Sequence, residues 1–205
     1  MDKKLKMECL TALEYSEKDT IAKIMEMDEK GTDYIEVLVP FSDPVAENPE
    51  IQDASVRAIK NGCTVEKVFE MLDKIKNQLN TKILLSFYAN TAYRYGYEAF
   101  SKKAKAVGVY GLIVEDMPFD EKSELEPTAK EQGLFVMNII ASKNPERIKM
   151  IAEDAEGILC ISPSLNQSTT SEEFNSIINI VKEKANVPVL GLCNNEENNR
   201  CLVSL

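Results

Sequence analysis

Histidine is absent from the 205 residues of this chain. Without histidine, the chain cannot build a serine–histidine or cysteine–histidine catalytic pair, and it cannot ligate a metal through imidazole. Any proton-transfer chemistry has to come from carboxylate, lysine, tyrosine or cysteine side chains. The absence therefore directs attention to acidic residues in unusual surroundings.

The chain also lacks the features that bind nucleic acids or membranes. Its formal net charge is -10 and its pI about 4.7. The densest basic stretch, residues 102–107, is typical of the solvated side of a helix. No apolar run approaches the roughly 18–20 residues of a membrane helix, and the N-terminal apolar segment is too short for a signal peptide. We therefore expect neither a nucleic-acid partner nor a membrane partner.

The five cysteines are scattered, and no two have CxxC spacing. An odd number without such spacing favours reduced thiols in a cytoplasmic protein over disulfides or a zinc site. Glycine-rich nucleotide-binding motifs of the GxGxxG and GxxxxGK[ST] types are missing as well. The sequence therefore predicts no metal ligands and no common nucleotide site.

Apolar segments alternate with helical patterns along the whole chain. The apolar segments are mostly continuous, which is typical of parallel strands covered on both faces. One helical pattern opens with Ser16 and Asp19, the spacing of a capping box, and another should break or restart at Pro127. The alternation predicts an α/β domain. The strand segments are 5–13, 33–39, 82–88, 110–115, 134–140, 157–162 and 187–192.

Two α/β architectures are compatible with this pattern. A (β/α)8 barrel usually needs about 250 residues, whereas a doubly wound sheet needs fewer, so length alone slightly favours the open sheet. No linker or low-complexity segment divides the chain. Residues 1–205 are therefore predicted to form a single domain.

The second strand segment contains a glutamate, Glu36, and runs into the acidic loop "PFSDPVAENPEIQ". Two interpretations of Glu36 are open. It is a structural carboxylate, paired with a lysine or reaching water at the strand end. Alternatively, it is a general acid/base, and burial raises its pKa. Prolines at 40, 44 and 49 restrict the loop, which predicts fixed places for its acids. Asp43 suits a turn, and Glu47 is either a functional acid or a solvated surface acid near the tip.

The segment 35–72 resembles the alpha subunit of tryptophan synthase. It contains "PFSDP", then an alanine, a proline and "IQ" before a helix, and Glu36 lies at the position of that family's glutamate. The segments "LLSFYAN" (84–90) and "VGVYGLIVEDMPFDE" (107–121) are similar to the family too, and the resemblance fades after about residue 145. The string is long enough that the match is specific.

The resemblance implies a TIM-type (β/α)8 barrel, abbreviated or incomplete at its C-terminal end, in a cytoplasmic enzyme of tryptophan biosynthesis. The family's reaction is the retro-aldol cleavage of indole-3-glycerol phosphate to indole and glyceraldehyde 3-phosphate, with no cofactor in this subunit. The resemblance also implies a pyridoxal-phosphate β subunit as partner. By position, Glu36 is the acid/base that acts on the ring carbon, and Glu47 is the acid that polarises the ring N–H.

The match also assigns substrate-binding residues and marks two departures in the acidic loop. Tyr88 lines the indole pocket, Asp116 is a strand-end acid near it, and Phe41 belongs to the same set. Glu47 is one methylene longer than the family's aspartate, and catalytic geometry tolerates only small displacements. Asn48 replaces a glycine, which should restrict the turn.

Two further departures alter the pocket itself. Ser86 stands where an apolar pocket residue is usual. Glu115 stands where the family has a small residue. Both changes make the pocket more polar.

The phosphate-binding loops of the family have weak counterparts here. The segment after the sixth strand, "SPSLNQSTTSEEF", contains no glycine, so hydroxyls such as that of Ser164 would have to substitute in part. Gly191 survives in or beside the seventh strand. Residues 201–205 are predicted to form an abbreviated eighth strand, since that avoids open sheet edges; the alternative is an incomplete barrel covered by a partner chain.

Three functions follow from these observations. The first is a tryptophan synthase alpha-type lyase, supported by the residue-by-residue match around Glu36. The second is a non-catalytic alpha-like barrel that has lost the phosphate site and acts through protein interaction. The third is a barrel enzyme for another, unphosphorylated substrate.

Overall fold

The computed structural model describes residues 5–192 and 202–204. The chain divides into two compact units. The N-terminal unit comprises residues 8–136, and the C-terminal unit comprises residues 1–7 together with 137–205. The single domain spanning residues 1–205 stays a prediction.

The N-terminal unit alternates strands and helices as predicted, and its first four strands begin and end within two residues of the expected positions. Its strands are the later part of β1 (Lys6–Thr11), then β2 (Tyr34–Leu38), β3 (Lys82–Phe87), β4 (Val109–Val114) and β5 (Phe135–Val136). Its helices are α1 (Glu17–Glu29), α2 (Pro49–Lys60), α3 (Val65–Ile75), α4 (Ala89–Tyr95), α5 (Tyr97–Ala106) and α6 (Glu126–Glu131), and Phe119–Glu124 is a 3-10 helix.

Local signals in the sequence account for several helix boundaries. Ser16 caps α1, because its Oγ accepts a hydrogen bond from the Asp19 N–H at 3.1 Å. The helical pattern over 120–133 restarts as predicted: the 3-10 helix ends at Glu124, and α6 carries Pro127 in its first turn. Proline is tolerated there because the first N–H groups of a helix have no partner inside it.

The strands β2, β3, β4 and β5 pair in parallel in that order. On one face of this sheet, Ile35, Val37, Leu85 and Phe87 join helix side chains in a buried apolar cluster. The Phe87 ring lies 4.6 Å from the ring of Phe100 in α5, centroid to centroid. The alternate residues therefore point to the opposite face, away from these helices.

The C-terminal unit contains β6 (Asn138–Ile140), β7 (Leu159–Ile161), β8 (Val189–Leu192) and β9 (Leu202–Ser204). Its helices are α7 (Pro145–Glu153), α8 (Pro163–Ser168) and α9 (Ser171–Lys184). The strands β6, β7 and β8 are parallel. The single strand predicted over 134–140 is interrupted at Met137, so that β5 pairs with β4 and β6 pairs with β7.

The last predicted strand is present but runs in the reverse direction. Residues 202–204 pair antiparallel with β8 and with Lys6 and Met7 at the start of β1. Cys201 and Leu205, the ends of the predicted segment, lie outside the described residues. The sequence indicated the strand, and the antiparallel direction is new.

In the described part of the chain, no helix is both long and apolar enough to cross a bilayer. Over residues 5–192 and 202–204, no group of three or more Cys, Asp or Glu side chains is arranged to hold a metal ion.

Candidate active site

Glu36 lies in the middle of β2 and is only 1% exposed. Its neighbours Ile35 and Val37 belong to the apolar cluster beneath the helices, so Glu36 points to the opposite face of the sheet. Its register partner on β3 is Leu84, and Ser86 follows two residues later on the same face. A carboxylate is thus built into a rigid, buried strand.

The loop over residues 40–48 returns a second carboxylate to the interior. Glu47 is 6% exposed. Its N–H donates to the Pro44 carbonyl at 3.0 Å, and its own carbonyl accepts from Nε2 of Gln52 at 2.8 Å. The interpretation of Glu47 as a solvated surface acid is therefore wrong.

Asn48 does not strain the loop. Its φ is -70°, in the extended region that any residue adopts, and its Oδ1 accepts from the Ile51 N–H at 3.0 Å. It is the N-cap of α2, and asparagine is among the best residues for that position. The expectation that losing a glycine here restricts the turn is wrong, because no left-handed backbone is needed.

Tyr88 ties the loop to the end of β3. Its ring stacks on Phe41, with centroids 4.7 Å apart and planes 11° from parallel. Its hydroxyl oxygen accepts a hydrogen bond from the Ala46 N–H at 3.0 Å. The two contacts hold the loop at its start and next to Glu47.

The hydroxyl of Tyr88 is neutral at physiological pH. Burial raises the pKa of Tyr88 to about 12, although the hydrogen bond from Ala46 opposes the shift. The negative charges of Glu47, Glu115 and Asp116 raise this pKa further. Three carboxylates thus act on one buried phenol.

Ser86 and Glu115 form a direct contact beside Tyr88. Ser86 is fully buried in β3, and its Oγ donates to Oε1 of Glu115 at 2.5 Å. The Glu115 N–H continues the parallel ladder by donating to the Phe87 carbonyl at 3.0 Å. Since Phe87 and Val114 point into the apolar cluster, Ser86 and Glu115 point to the face that carries Glu36.

Asp116 is exposed and caps a helix from another loop. Its Oδ1 accepts from the N–H of Ala89, the first residue of α4, at 2.7 Å. A carboxylate at a helix N-terminus is favoured by the helix dipole. No local pattern predicts this contact, because Ala89 and Asp116 are 27 residues apart along the chain.

Ser164 and Gly191 belong to the C-terminal unit. Ser164 is exposed on α8, with its Oγ 2.8 Å from the Ser162 Oγ. Gly191 lies within β8, paired with Val203 of β9. The segment expected as a phosphate loop is thus partly the helix α8, and Lys143 Nζ donates to the Ser168 carbonyl at its end, at 2.6 Å.

The five other predicted site residues, Glu36, Phe41, Glu47, Tyr88 and Asp116, all lie in the N-terminal unit. The structure joins Phe41, Tyr88 and the backbone beside Glu47 through direct contacts. Two contacts were missed from sequence: the Ser86–Glu115 bond and the Asp116 cap. The first could have been found by following the alternation of side chains from the buried residues of β3 and β4.

Comparison with known proteins gives one consistent family. The family model described as "Tryptophan synthase alpha chain" matches residues 3–200. A tryptophan synthase alpha chain from Staphylococcus aureus (strain bovine RF122 / ET3-1) is 37% identical over 180 residues, which cover 85% of this chain and 74% of the relative. One from Lachnospira eligens is also 37% identical, over 84% of this chain and 68% of the relative.

Solved structures give the same result. Tryptophan synthase subunit alpha from Legionella pneumophila str. Paris superposes with a TM-score of 0.84 at 25% identity, covering 95% of this chain and 74% of that one. A chain of the tryptophan synthase complex from Pyrococcus furiosus superposes with a TM-score of 0.81 at 29% identity, covering 93% and 78%.

Proposed function

Because this chain belongs to the tryptophan synthase alpha chain family, we propose that it is a lyase that cleaves indole-3-glycerol phosphate to indole and glyceraldehyde 3-phosphate. Its fold is the TIM-type (β/α)8 barrel of that family in abbreviated form. The observation that carries the proposal is the buried carboxylate of Glu36 on the sheet face opposite the helices.

The reaction needs one group that gives a proton and takes one back. In its protonated form, Glu36 donates a proton to the ring carbon that bears the glycerol chain. The resulting carboxylate then removes the proton from the adjacent glycerol hydroxyl. The carbon–carbon bond breaks, its electrons return to the ring, and the hydroxyl becomes the aldehyde of the product. The proton count balances on one residue, as general acid/base catalysis requires.

Glu47 is the second acid of the proposal. Protonation of the ring carbon makes the ring nitrogen positive, and a carboxylate that accepts a hydrogen bond from the ring N–H stabilises that charge. The backbone contacts of Glu47 with Pro44 and Gln52 hold it in place. Phe41 and Tyr88 supply an aromatic wall, and Asp116 fixes the start of α4 beside it.

Within the C-terminal unit, Ser164 and Gly191 are proposed as phosphate-binding residues. The exposed hydroxyl of Ser164 and the backbone at Gly191 would contribute to phosphate binding in place of the family's glycine-rich loops. Hydroxyl and backbone N–H donors both suit phosphate oxygens. Neither residue carries a charge, so we expect weak phosphate affinity.

We infer further that the chain is a cytoplasmic subunit that assembles with a pyridoxal-phosphate β subunit. One similar structure is described as a tryptophan synthase complex. The absence of CxxC spacing and the odd number of cysteines support a reducing compartment.

The experiment is an indole-release assay with indole-3-glycerol phosphate on the wild type and on Glu36→Gln, which keeps size and removes the acid/base group. We expect Glu36→Gln to lose at least about a hundredfold in kcat, within the usual range for a general acid/base. Glu98→Gln, an exposed glutamate on α5, is the matched control and should keep wild-type activity. Equal, near-zero rates for wild type and Glu36→Gln would count against the lyase.

The helix α8 in place of a glycine-rich loop favours a second function, a non-catalytic alpha-like protein that acts through a β subunit. Calorimetry separates the two. Micromolar binding of glycerol phosphate supports the lyase. Tight binding of a β subunit without turnover supports the second function.

A further inference from the structure

The side chain of Gln52 bonds to the residue that carries the second acid. Gln52 lies near the start of α2, and its Nε2 donates to the carbonyl oxygen of Glu47 at 2.8 Å. Its backbone N–H donates to the Asn48 carbonyl at 3.0 Å, as the regular helix pattern requires. The proposed reaction gives Gln52 no chemical step, so its side chain needs another explanation.

Helix capping does not account for this amide. The N-cap of α2 is Asn48, whose Oδ1 accepts from the Ile51 N–H at 3.0 Å, and Pro49 follows it without an N–H group. A capping side chain accepts hydrogen bonds from the free N–H groups of the first turn, whereas the Gln52 amide donates, to the residue before the cap. In other helices an apolar contact between these two positions fixes the angle at which the chain enters the helix, and here a hydrogen bond joins them.

Both peptide groups that flank Glu47 are hydrogen-bonded. In the peptide before it, the Glu47 N–H donates to the Pro44 carbonyl at 3.0 Å. In the peptide after it, the Glu47 carbonyl accepts from Gln52. Because a residue has only two soft backbone dihedral angles, holding both peptides fixes the direction in which its side chain leaves the backbone. Glu47 is 6% exposed, so this direction is into the interior.

The helix that carries Gln52 is anchored at its other end. Arg57 donates to Oε1 of Glu14 through Nε at 3.1 Å and through Nη2 at 2.7 Å. Asn61, the C-cap of α2, donates through Nδ2 to the Glu14 carbonyl at 2.8 Å. The loop after β1 therefore supports α2, and a side chain on a supported helix holds its contact more precisely than one on a loop.

We propose that Gln52 is a positioning residue for Glu47 in the cleavage reaction. Its amide holds the peptide after Glu47, and the held backbone places the carboxylate where it accepts from the ring N–H. This role rests on the proposed lyase function, in which Glu47 stabilises the positive ring. A misplacement of about 1 Å can cost about a hundredfold in rate, so the loss of one positioning bond is measurable.

The first experiment measures indole release from indole-3-glycerol phosphate by Gln52→Leu, which removes the donor and keeps a good helix former at this position. We expect kcat to fall about tenfold and KM to change less than about twofold, because the residues proposed to bind the substrate are unchanged. Gln52→Met, which is also a good helix former, takes its place if the leucine variant fails to fold.

Gln78→Leu is the matched control. The Gln78 side chain also donates through Nε2 to a backbone carbonyl at 2.8 Å, that of Lys74, but at an exposed position after α3. Its loss removes an equivalent hydrogen bond away from Glu47 and should leave kcat unchanged. A Gln52→Leu variant with the kcat of the wild type overturns the positioning role and leaves the lyase intact.

A double-mutant cycle separates positioning from general structural damage. Glu47→Ala removes the carboxylate that Gln52 places. Adding Gln52→Leu to this variant should lower kcat by less than about twofold, because no carboxylate is left to misplace. A loss of about tenfold in both backgrounds shows that Gln52 acts independently of Glu47, and it overturns the proposal.

Amide hydrogen exchange tests the same role without turnover. Faster exchange of the Glu47 N–H in Gln52→Leu than in the wild type, with no change in Gln78→Leu, supports Gln52 as the group that holds this part of the loop. Equal exchange in all three proteins overturns the positioning role. A correctly folded wild type that releases no indole overturns the lyase, and hydrogen exchange still decides whether Gln52 holds Glu47.

Discussion

At the scale of single residues, Tyr88 connects the aromatic wall to the acidic loop. The ring is 1% exposed and stacks on Phe41, and the hydroxyl holds the backbone at Ala46. Tyr88 therefore acts on Glu47 through the loop backbone, and the charge of Glu47 in turn raises the pKa of Tyr88. Its ring and its hydroxyl have separate effects that substitutions can distinguish.

Tyr88→Phe keeps the ring and removes the acceptor for the Ala46 N–H. The loop should loosen next to Glu47, and we expect kcat in the cleavage assay to fall about tenfold with a smaller change in KM, since small displacements of a catalytic group are costly. Because the stacking with Phe41 remains, unfolding stability should fall by only about 1 kcal/mol. A variant whose kcat equals that of the wild type would show that the hydroxyl does not position the loop.

At the scale of elements, Asp28 near the end of α1 organises the entry to β3. Its Oδ1 accepts from the Asn80 N–H at 2.9 Å and from the Thr81 N–H at 2.7 Å. Burial acts to raise the pKa of Asp28, but the hydrogen bonds from Thr81 and Asn80 together lower it below 3.8. A helix and the start of a strand are thus linked through one carboxylate.

Asp28→Asn keeps the shape and removes the charge. We expect it to lower the free energy of unfolding by about 1 kcal/mol at pH 7, below the usual range for a charged hydrogen bond because the group is partly exposed. A lowered folded pKa means that this stability is present above the unfolded pKa and is lost as pH falls through the folded pKa. In urea denaturation, the difference between the two proteins should therefore shrink as pH falls below 3.8 and through the lower folded pKa of Asp28.

Glu29→Gln, at the exposed neighbouring position, is the control and should match the wild type across the same pH range. Equal stability of wild type and Asp28→Asn at pH 7, or a difference that does not shrink at all as pH falls below 3.8, would contradict this account.

The sequence predicts the buried strands, but it does not predict the direction of β9 or the helix α8. The buried strands were identified because residues covered on both faces must be apolar, as in β3 and β4. The reversed direction of β9 could not be predicted, because a three-residue strand carries no directional signal. The helix α8 was not predicted, because its sequence, PSLNQS, is rich in Ser, Asn and Gln, which are typical of loops.

In the candidate site, too, some residues can be recognised from the sequence and others cannot. Glu36 stood out because a carboxylate in an apolar strand has few explanations. The burial of Glu47 and the cap that Asp116 supplies to α4 depend on contacts between distant segments, which no local pattern encodes.

At the scale of the whole molecule, alkaline pH should destabilise the fold through two weak acids, the partly buried Cys63 and the buried Tyr88. Burial raises the pKa of Cys63 from 9.0 to about 11, with the Lys67 charge opposing the shift. Burial likewise raises the pKa of Tyr88 from 10.0 to about 12. Both groups therefore hold their protons more tightly in the folded state than in the unfolded state.

A raised folded pKa gives stability that is complete below the unfolded pKa and is lost as pH rises through the folded pKa. We expect the free energy of unfolding to decline from about pH 9 upward. Urea denaturation at successive pH values measures this decline. Cys63→Ala should remove the part of this decline in unfolding free energy that begins near the unfolded pKa of cysteine. Tyr88→Phe should remove the part that begins at higher pH, near the unfolded pKa of tyrosine.

The control for both variants is Tyr15→Phe, because Tyr15 is 58% exposed. Its alkaline profile should follow that of the wild type. Profiles of Cys63→Ala and Tyr88→Phe that also follow the wild type would exclude these two groups as the cause.

The antiparallel strand β9 has a consequence for the order of folding. Leu202 pairs with the nearby Leu192, whereas Val203 pairs with Lys6 at the other end of the chain. Pairing across a long stretch of chain carries a larger loop-closure entropy and forms more slowly than local pairing. During synthesis, the start of β1 must therefore wait for its β9 neighbour until residues 202–204 have left the ribosome.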